Sequence, residues 1–201
     1  MTSPKYTYPY FTDPENFSTW SHEAQECAVC GEERAGFEGP FYGEDEIEFL
    51  CEECLHNGDI LEFGATTNDG DMEALREQIT LLNPSFPVEQ VAREVEKKLT
   101  ELTEKTPPMA THGPLNWPAH CGNFYVFIKE AGQADLNNLA GDGDGQKFLT
   151  EHMVPTGSGS DFSKVRPEAT VNNHVSHSPA VYLFQCRKCQ EQFLLSDEAP
   201  V

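Results

Sequence analysis

The chain has 201 residues, 38% of them hydrophobic and 23% charged, which fits one ordinary domain with embellishment or two small ones and excludes wholesale disorder. Thirty-four Asp and Glu against thirteen Lys and Arg give a net charge of −21, which disfavours nucleic acid and anionic membrane surfaces as partners because both require clustered cations. No apolar run is long enough to cross a bilayer, and Met1 to Tyr10 lack the basic and apolar regions of a signal peptide, so the expected compartment is the cytoplasm.

Residues 1–26 form an aromatic arm in which Tyr6, Tyr8, Tyr10, Phe11, Phe17 and Trp20 alternate with Pro4, Pro9 and Pro14. Prolines break regular elements, so the arm is expected to lie extended as a strap over the core. Next comes Cys27-x-x-Cys30, and Cys51-x-x-Cys54 follows after twenty intervening residues. The interval holds Gly39-Pro-Phe-Tyr-Gly43 and Ile47-Glu-Phe-Leu50, which suit a short hairpin.

Two helices follow. Asp71 caps the first, which carries Ala74, Leu75, Ile79 and Leu82, and Asn83-Pro84 ends it. Pro87 opens the second. There Val88, Val91, Val95, Leu99 and Leu102 recur at steps of three and four and form one core-facing stripe, which Pro107-Pro108 terminates. Asn123 to Glu130 read as a buried strand, and residues 141–160, rich in Gly, Ser and Asp, as a mobile loop. Ala180 to Gln185 form a strand, Cys186-Arg-Lys-Cys189 a knuckle, and Gln192 onwards a return strand.

The seven cysteines carry the chemistry. In a reducing compartment paired thiols point to metal or redox use, and an odd number argues against a closed disulfide framework. Two knuckles twenty residues apart complete a four-thiolate zinc site from Cys27, Cys30, Cys51 and Cys54, with no coordination position left open. The architecture is a treble clef if a helix follows the second pair, and a ribbon if a hairpin does. Cys186 and Cys189 are half of a second zinc site. Cys121 is the natural third ligand. His120 is the nearest fourth, although adjacent residues reach one metal only with a distorted backbone. His112, His174, His177 and a water are the alternatives. A water there would make the site catalytic. Arg187 and Lys188 also leave room for redox chemistry at the last pair.

Other signals are weak. Asp142-Gly-Asp144-Gly starts like a calcium loop but has Lys147 and Met153 where the invariant Gly and Glu belong. His56 beside Cys54 reads as a surface or supporting histidine rather than a catalytic base.

The arrangement resembles the bacterial CbrC family of small proteins with three Cys-x-x-Cys motifs. The resemblance rests on Phe11-Thr-Asp-Pro14, Cys27-Ala-Val-Cys30-Gly31, Gly39-Pro-Phe-Tyr42, Leu50-Cys-Glu-Glu-Cys54, Lys105-Thr-Pro107, Trp117-Pro-Ala-His-Cys121-Gly122 and Tyr182-Leu-Phe-Gln-Cys-Arg-Lys-Cys189. Asp59-Ile-Leu61 and residues 141–160 depart from it. The resemblance implies a role in tolerance to protein toxins such as colicins, and no established enzyme activity.

The expected fold is α+β: residues 1–65 an arm plus a four-cysteine module, 66–110 helical, and 111–201 strand-rich with a second knuckle, packed as one unit. The expected function is that of a non-enzymatic, two-zinc interaction protein with a basic partner. A zinc- or thiol-dependent enzyme built on Cys121, Cys186 and Cys189 is the alternative.

Overall fold

The computed structural model describes residues 2–44, 46–111, 115–153, 161–168 and 179–197. Its architecture is α+β. The arm is extended apart from a one-turn helix α1 (Pro14–Phe17), which Asp13 caps by accepting from Asn16 N–H. Strands β1 (Trp20–Glu26) and β2 (Glu33–Phe37) are antiparallel, with Cys27 to Glu32 as their turn. Next come β3 (Tyr42–Gly43), β4 (Leu50–Cys51) and α2 (Glu52–Asn57). A 3₁₀ turn at Asp59–Phe63 leads to β5 (Ala65–Thr66) and β6 (Asp69–Gly70). Strand β2 lies between β1 and β4. The hairpin expected between the two Cys pairs is therefore only partly present: β4 returns along β2, whereas β3 pairs with β5.

The helical segment matches its pattern closely. Helix α3 (Met72–Leu82) starts where Asp71 accepts from Ala74 N–H, and α4 (Val88–Lys105) starts after Pro87 at its N-cap. Val91, Val95 and Leu102 of the stripe are buried, but Val88 is 80% exposed because the first turn of α4 overhangs the core. The C-terminal end of α4 is closed by side chains. Thr67 Oγ1 donates to the Thr106 carbonyl at 2.6 Å, and Asn68 Nδ2 reaches the Thr106 and Pro107 carbonyls at 3.2 and 3.1 Å. Thr67 N–H also donates to the Thr103 carbonyl at 2.8 Å, which satisfies a last-turn carbonyl that has no intrahelical partner.

Strands β7 (Asn116–Trp117), β8 (Ala119–His120), β9 (Asn123–Phe124) and β10 (Val126–Glu130) come next, so the single strand expected over 123–130 is broken at Tyr125. Strand β6 runs parallel to β7, and β8 and β9 form a tight hairpin. Helices α5 (Gln133–Leu139) and α6 (Gly145–His152) follow, then β11 (Ala180–Gln185) and β12 (Gln192–Asp197). Strands β10, β11 and β12 make an antiparallel sheet in that order.

Helix α6 corrects the loop expected over residues 141–160. Asp144 accepts from Lys147 N–H as an N-cap, so the Gly-Asp repeat punctuates a helix start. The cause lies in β11, which is buried on both faces. Val181 and Leu183 face a small cluster with Leu136, Phe148, Leu149, Met153 and Val165 from the α5–α6 region. Tyr182 and Phe184 face the main core with Phe124, Phe127 and Trp117. A strand with two apolar faces needs cover on both sides, and α5 and α6 supply one. Residues 154–160 of that stretch lie outside the described residues.

The arm behaves as a strap. Tyr8, Tyr10 and Phe11 are buried, Phe11 packs edge-on to Phe127 at 4.8 Å, and Phe127 N–H donates to the Tyr10 carbonyl at 2.8 Å. Among the described residues no helix is long and apolar enough to cross a membrane.

Candidate metal centres

The first centre is assembled by the β1–β2 turn and the start of α2. The Cys27 N–H donates to the Glu32 carbonyl and Gly31 N–H to the Cys27 carbonyl, at 3.0 and 2.8 Å. Gly31 closes the knuckle at φ +70°, a conformation that glycine adopts without a Cβ clash. Pairing of Gly36 with Cys51 then brings the second pair alongside. Cys51 is the N-cap of α2 and Cys54 sits in its first turn, so a helix rather than a second hairpin follows the second pair. That is the treble-clef order. The sulfurs of Cys27, Cys30, Cys51 and Cys54 all lie within 4.8 Å of one another, those of Cys30 and Cys51 at 3.8 Å. Three of the residues are buried and Cys30 is exposed.

The electrostatics of the two pairs differ. The Cys27 thiol feels burial, which disfavours its thiolate, but the N–H groups of Cys51, Cys30 and Val29 outweigh it and lower its pKa. Burial dominates at Cys51, raised to about 11, and raises Cys54 further still. Glu52, between them, is itself buried. Its Oε1 accepts from Lys5 N–H at 2.7 Å, Tyr6 N–H at 3.0 Å and the Tyr8 hydroxyl at 3.3 Å. His56 lies on the exposed side of α2, stacked on Tyr6 at 3.9 Å, in keeping with a surface role.

The second centre joins two hairpin turns. Cys186 to Gln190 repeat the first knuckle bond for bond: Cys186 N–H donates to the Glu191 carbonyl at 2.8 Å and Gln190 N–H to the Cys186 carbonyl at 2.9 Å. Gln190 occupies the position of Gly31, at φ +63°. In each knuckle the amides two and three residues on point at the first sulfur. For Cys186, burial is outweighed by the Cys189 N–H, the His120 ring and the Lys188 N–H, and the thiol comes down to about 7.

The other half comes from the β8–β9 hairpin. Its two turn residues, Cys121 and Gly122, both have positive φ, 52° and 76°, the signature of a type I′ turn. This is the backbone distortion that lets adjacent residues face one site. The ligand atoms of His120, Cys121, Cys186 and Cys189 lie within 4.8 Å of one another. His120 Nδ1 is 3.4 Å from Cys189 Sγ, and its Nε2 is 3.4 Å from Glu191 Oε2. Removal from water and the facing sulfurs raise the Cys121 thiol to about 11. Cys186 is buried, His120 and Cys121 are half-buried and Cys189 is exposed, so this centre is the more open of the two. His112, His174 and His177, the other nitrogens considered for it, lie outside the described residues.

A family model described as "Uncharacterised protein family (UPF0167)" matches residues 6–198. The chain belongs to this family. The UPF0167 match spans both centres and every candidate ligand, from Cys27 to Cys189. It carries neither the CbrC name nor a link to colicins; those rest on the resemblance alone. No solved structure matches the chain.

All eight sequence candidates thus fall into two groups of four. Glu52, Glu191 and Tyr125, whose contacts border the groups, hold no ligand position in a metal-binding motif. A charged side chain within a knuckle motif or two residues beyond it was the available signal.

Proposed function

We propose that this member of UPF0167 is a non-enzymatic zinc protein whose two structural ions hold an acidic surface in shape for a partner. The observation that carries the reading is that two closed donor sets, one of four thiolates and one of three thiolates and an imidazole, are each gathered within 4.8 Å. Zinc takes such sets tetrahedrally with Zn–S of about 2.3 Å, which puts neighbouring sulfurs about 3.8 Å apart. Cys30 and Cys51 stand at 3.8 Å. Four protein ligands leave no position for a substrate or water, so the ions' contribution is to folding.

Native mass spectrometry of the full chain tests this. Two zinc ions are expected, with one lost in Cys121→Ser and one in Cys51→Ser. A metal-free parent protein purified with zinc present would overturn it.

The net charge of −21 supports a basic protein partner in the cytoplasm, and electrostatic steering speeds such an encounter. The resemblance to the CbrC family supports a role in tolerance to protein toxins. Binding to such a partner is expected to weaken steeply with salt; salt-independent affinity would remove charge as the driver.

A second reading, a thiol- or zinc-dependent enzyme, is favoured by one observation: the second group is the more open of the two, with Cys189 exposed and His120 and Cys121 half-buried. Iodoacetamide decides between them. Thiols that stay protected in the zinc-loaded protein leave the enzyme without a nucleophile.

A further inference from the structure

We propose that Glu191 is the positioning residue of the second centre, holding His120 so that its Nδ1, and not its Nε2, meets the metal. The inference rests on the reading of that group as a metal site and assigns what the donor set alone leaves open, namely which imidazole nitrogen is the ligand and what fixes it.

The two ring nitrogens face different neighbours. Nδ1 points into the sulfur cluster, 3.4 Å from Cys189 Sγ. Nε2 is 3.4 Å from Glu191 Oε2. A carboxylate opposite Nε2 favours the tautomer with its proton there, which leaves the Nδ1 lone pair free for a cation. Turning the ring over would put a C–H against the carboxylate and forfeit that contact.

Glu191 is itself tied down. Its carbonyl accepts from Cys186 N–H at 2.8 Å, as part of the knuckle. Its other carboxylate oxygen accepts from the Tyr125 hydroxyl at 3.3 Å. The Tyr125 ring lies against the His120 ring at 5.5 Å, tilted by 26°, and against Phe193 at 5.4 Å. One knuckle residue and one aromatic ring therefore define both the rotation and the tautomer of His120. The first centre has no such device and no need of one, because its four ligands are all sulfurs.

Loss of a carboxylate behind a ligating histidine costs about 10–100-fold in metal affinity, and the half-exposed position of Glu191 places the expected loss near tenfold. The experiment uses the full, zinc-loaded chain and follows release of each ion to a chromophoric chelator, with ions counted by native mass spectrometry. Glu191→Ala is expected to bind two ions at saturating zinc, to release the second-centre ion about tenfold more readily, and to leave the first centre unchanged. Glu191→Gln, which keeps an acceptor oxygen, is expected to fall between Ala and the parent. Long-range ¹H–¹⁵N correlation at His120 is expected to show metal-bound Nδ1 and protonated Nε2.

A metal-bound Nε2, or parental release from Glu191→Ala that still holds two ions, overturns the proposal and leaves the second centre standing. A parent that holds one ion, unchanged in Cys121→Ser, removes the second centre and the proposal with it.

Discussion

At the scale of single residues, the two knuckles are the same object built from different sequences. Both aim two amides at the first sulfur, and both close with a residue at positive φ, Gly31 in one and Gln190 in the other. A side chain in that conformation costs about 1–2 kcal/mol, and Gln190 offsets part of it by donating to the Arg187 carbonyl at 2.9 Å. Gln190→Ala loses the bond and keeps the strain, so it is expected to be less stable than Gln190→Gly in urea titrations of the zinc-loaded protein. The thiols give a second prediction. Burial raises Cys51 and Cys54, and desolvation with facing sulfurs raises Cys121, so at neutral pH these thiols hold their protons until a metal displaces them. Zinc uptake should therefore release protons and tighten as pH rises, which calorimetry in buffers of different ionisation enthalpy would show. The cysteine spacing made six of the candidate ligands legible, and Cys121 followed as the one thiol outside a pair. His120 was legible only as a neighbour, because no spacing rule foretells a type I′ turn at Cys121-Gly122.

At the scale of elements, the helices were readable because their signals are local. Asp71 caps α3, and the step of three and four along α4 sets its buried face. Helices α5 and α6 were not, because their reason for existing is non-local: they cover a face of β11, which begins only at Ala180. The same non-local logic governs the join between β2 and β4. A Cβ at Gly36 would lie 2.2 Å from the Leu50 carbonyl oxygen and 2.7 Å from the Cys51 Cα, both backbone atoms. Gly36→Ala is therefore expected to push β4 away and cost the first centre its ion, visible as loss of one zinc by mass, while the second centre stays filled. At the end of α4, Asn68→Ala removes the donor that serves the Thr106 and Pro107 carbonyls. The Thr106 carbonyl keeps its bond from Thr67 Oγ1, but the Pro107 carbonyl loses the Asn68 donor, so a loss of about 1–3 kcal/mol is expected in denaturant unfolding.

At the scale of the whole molecule, the main core runs from the arm through Trp117 and Phe127 to Phe184, and both centres border it, with Cys27, Cys51, Cys54 and Cys186 among its buried members. An ion at the second centre would join Cys121 to Cys186 and close a loop that, by analogy with a disulfide, is worth on the order of 4 kcal/mol in chain entropy. Chelation is accordingly expected to lower the unfolding midpoint of the entire chain, and Leu102→Ala, which opens a cavity at a fully buried site, to cost about 2–5 kcal/mol on top. The buried carboxylate of Glu52 gives the arm a further property. One oxygen, carried between two ligands of the first centre, grips the backbone at Lys5 and Tyr6. The N-terminal arm is thereby a tell-tale of occupancy: stripping the first ion should let go of it and present Lys5 to trypsin. The rate of clipping at that bond, followed by mass, should then count empty first centres in a population, and it should stay slow where only the second has been emptied.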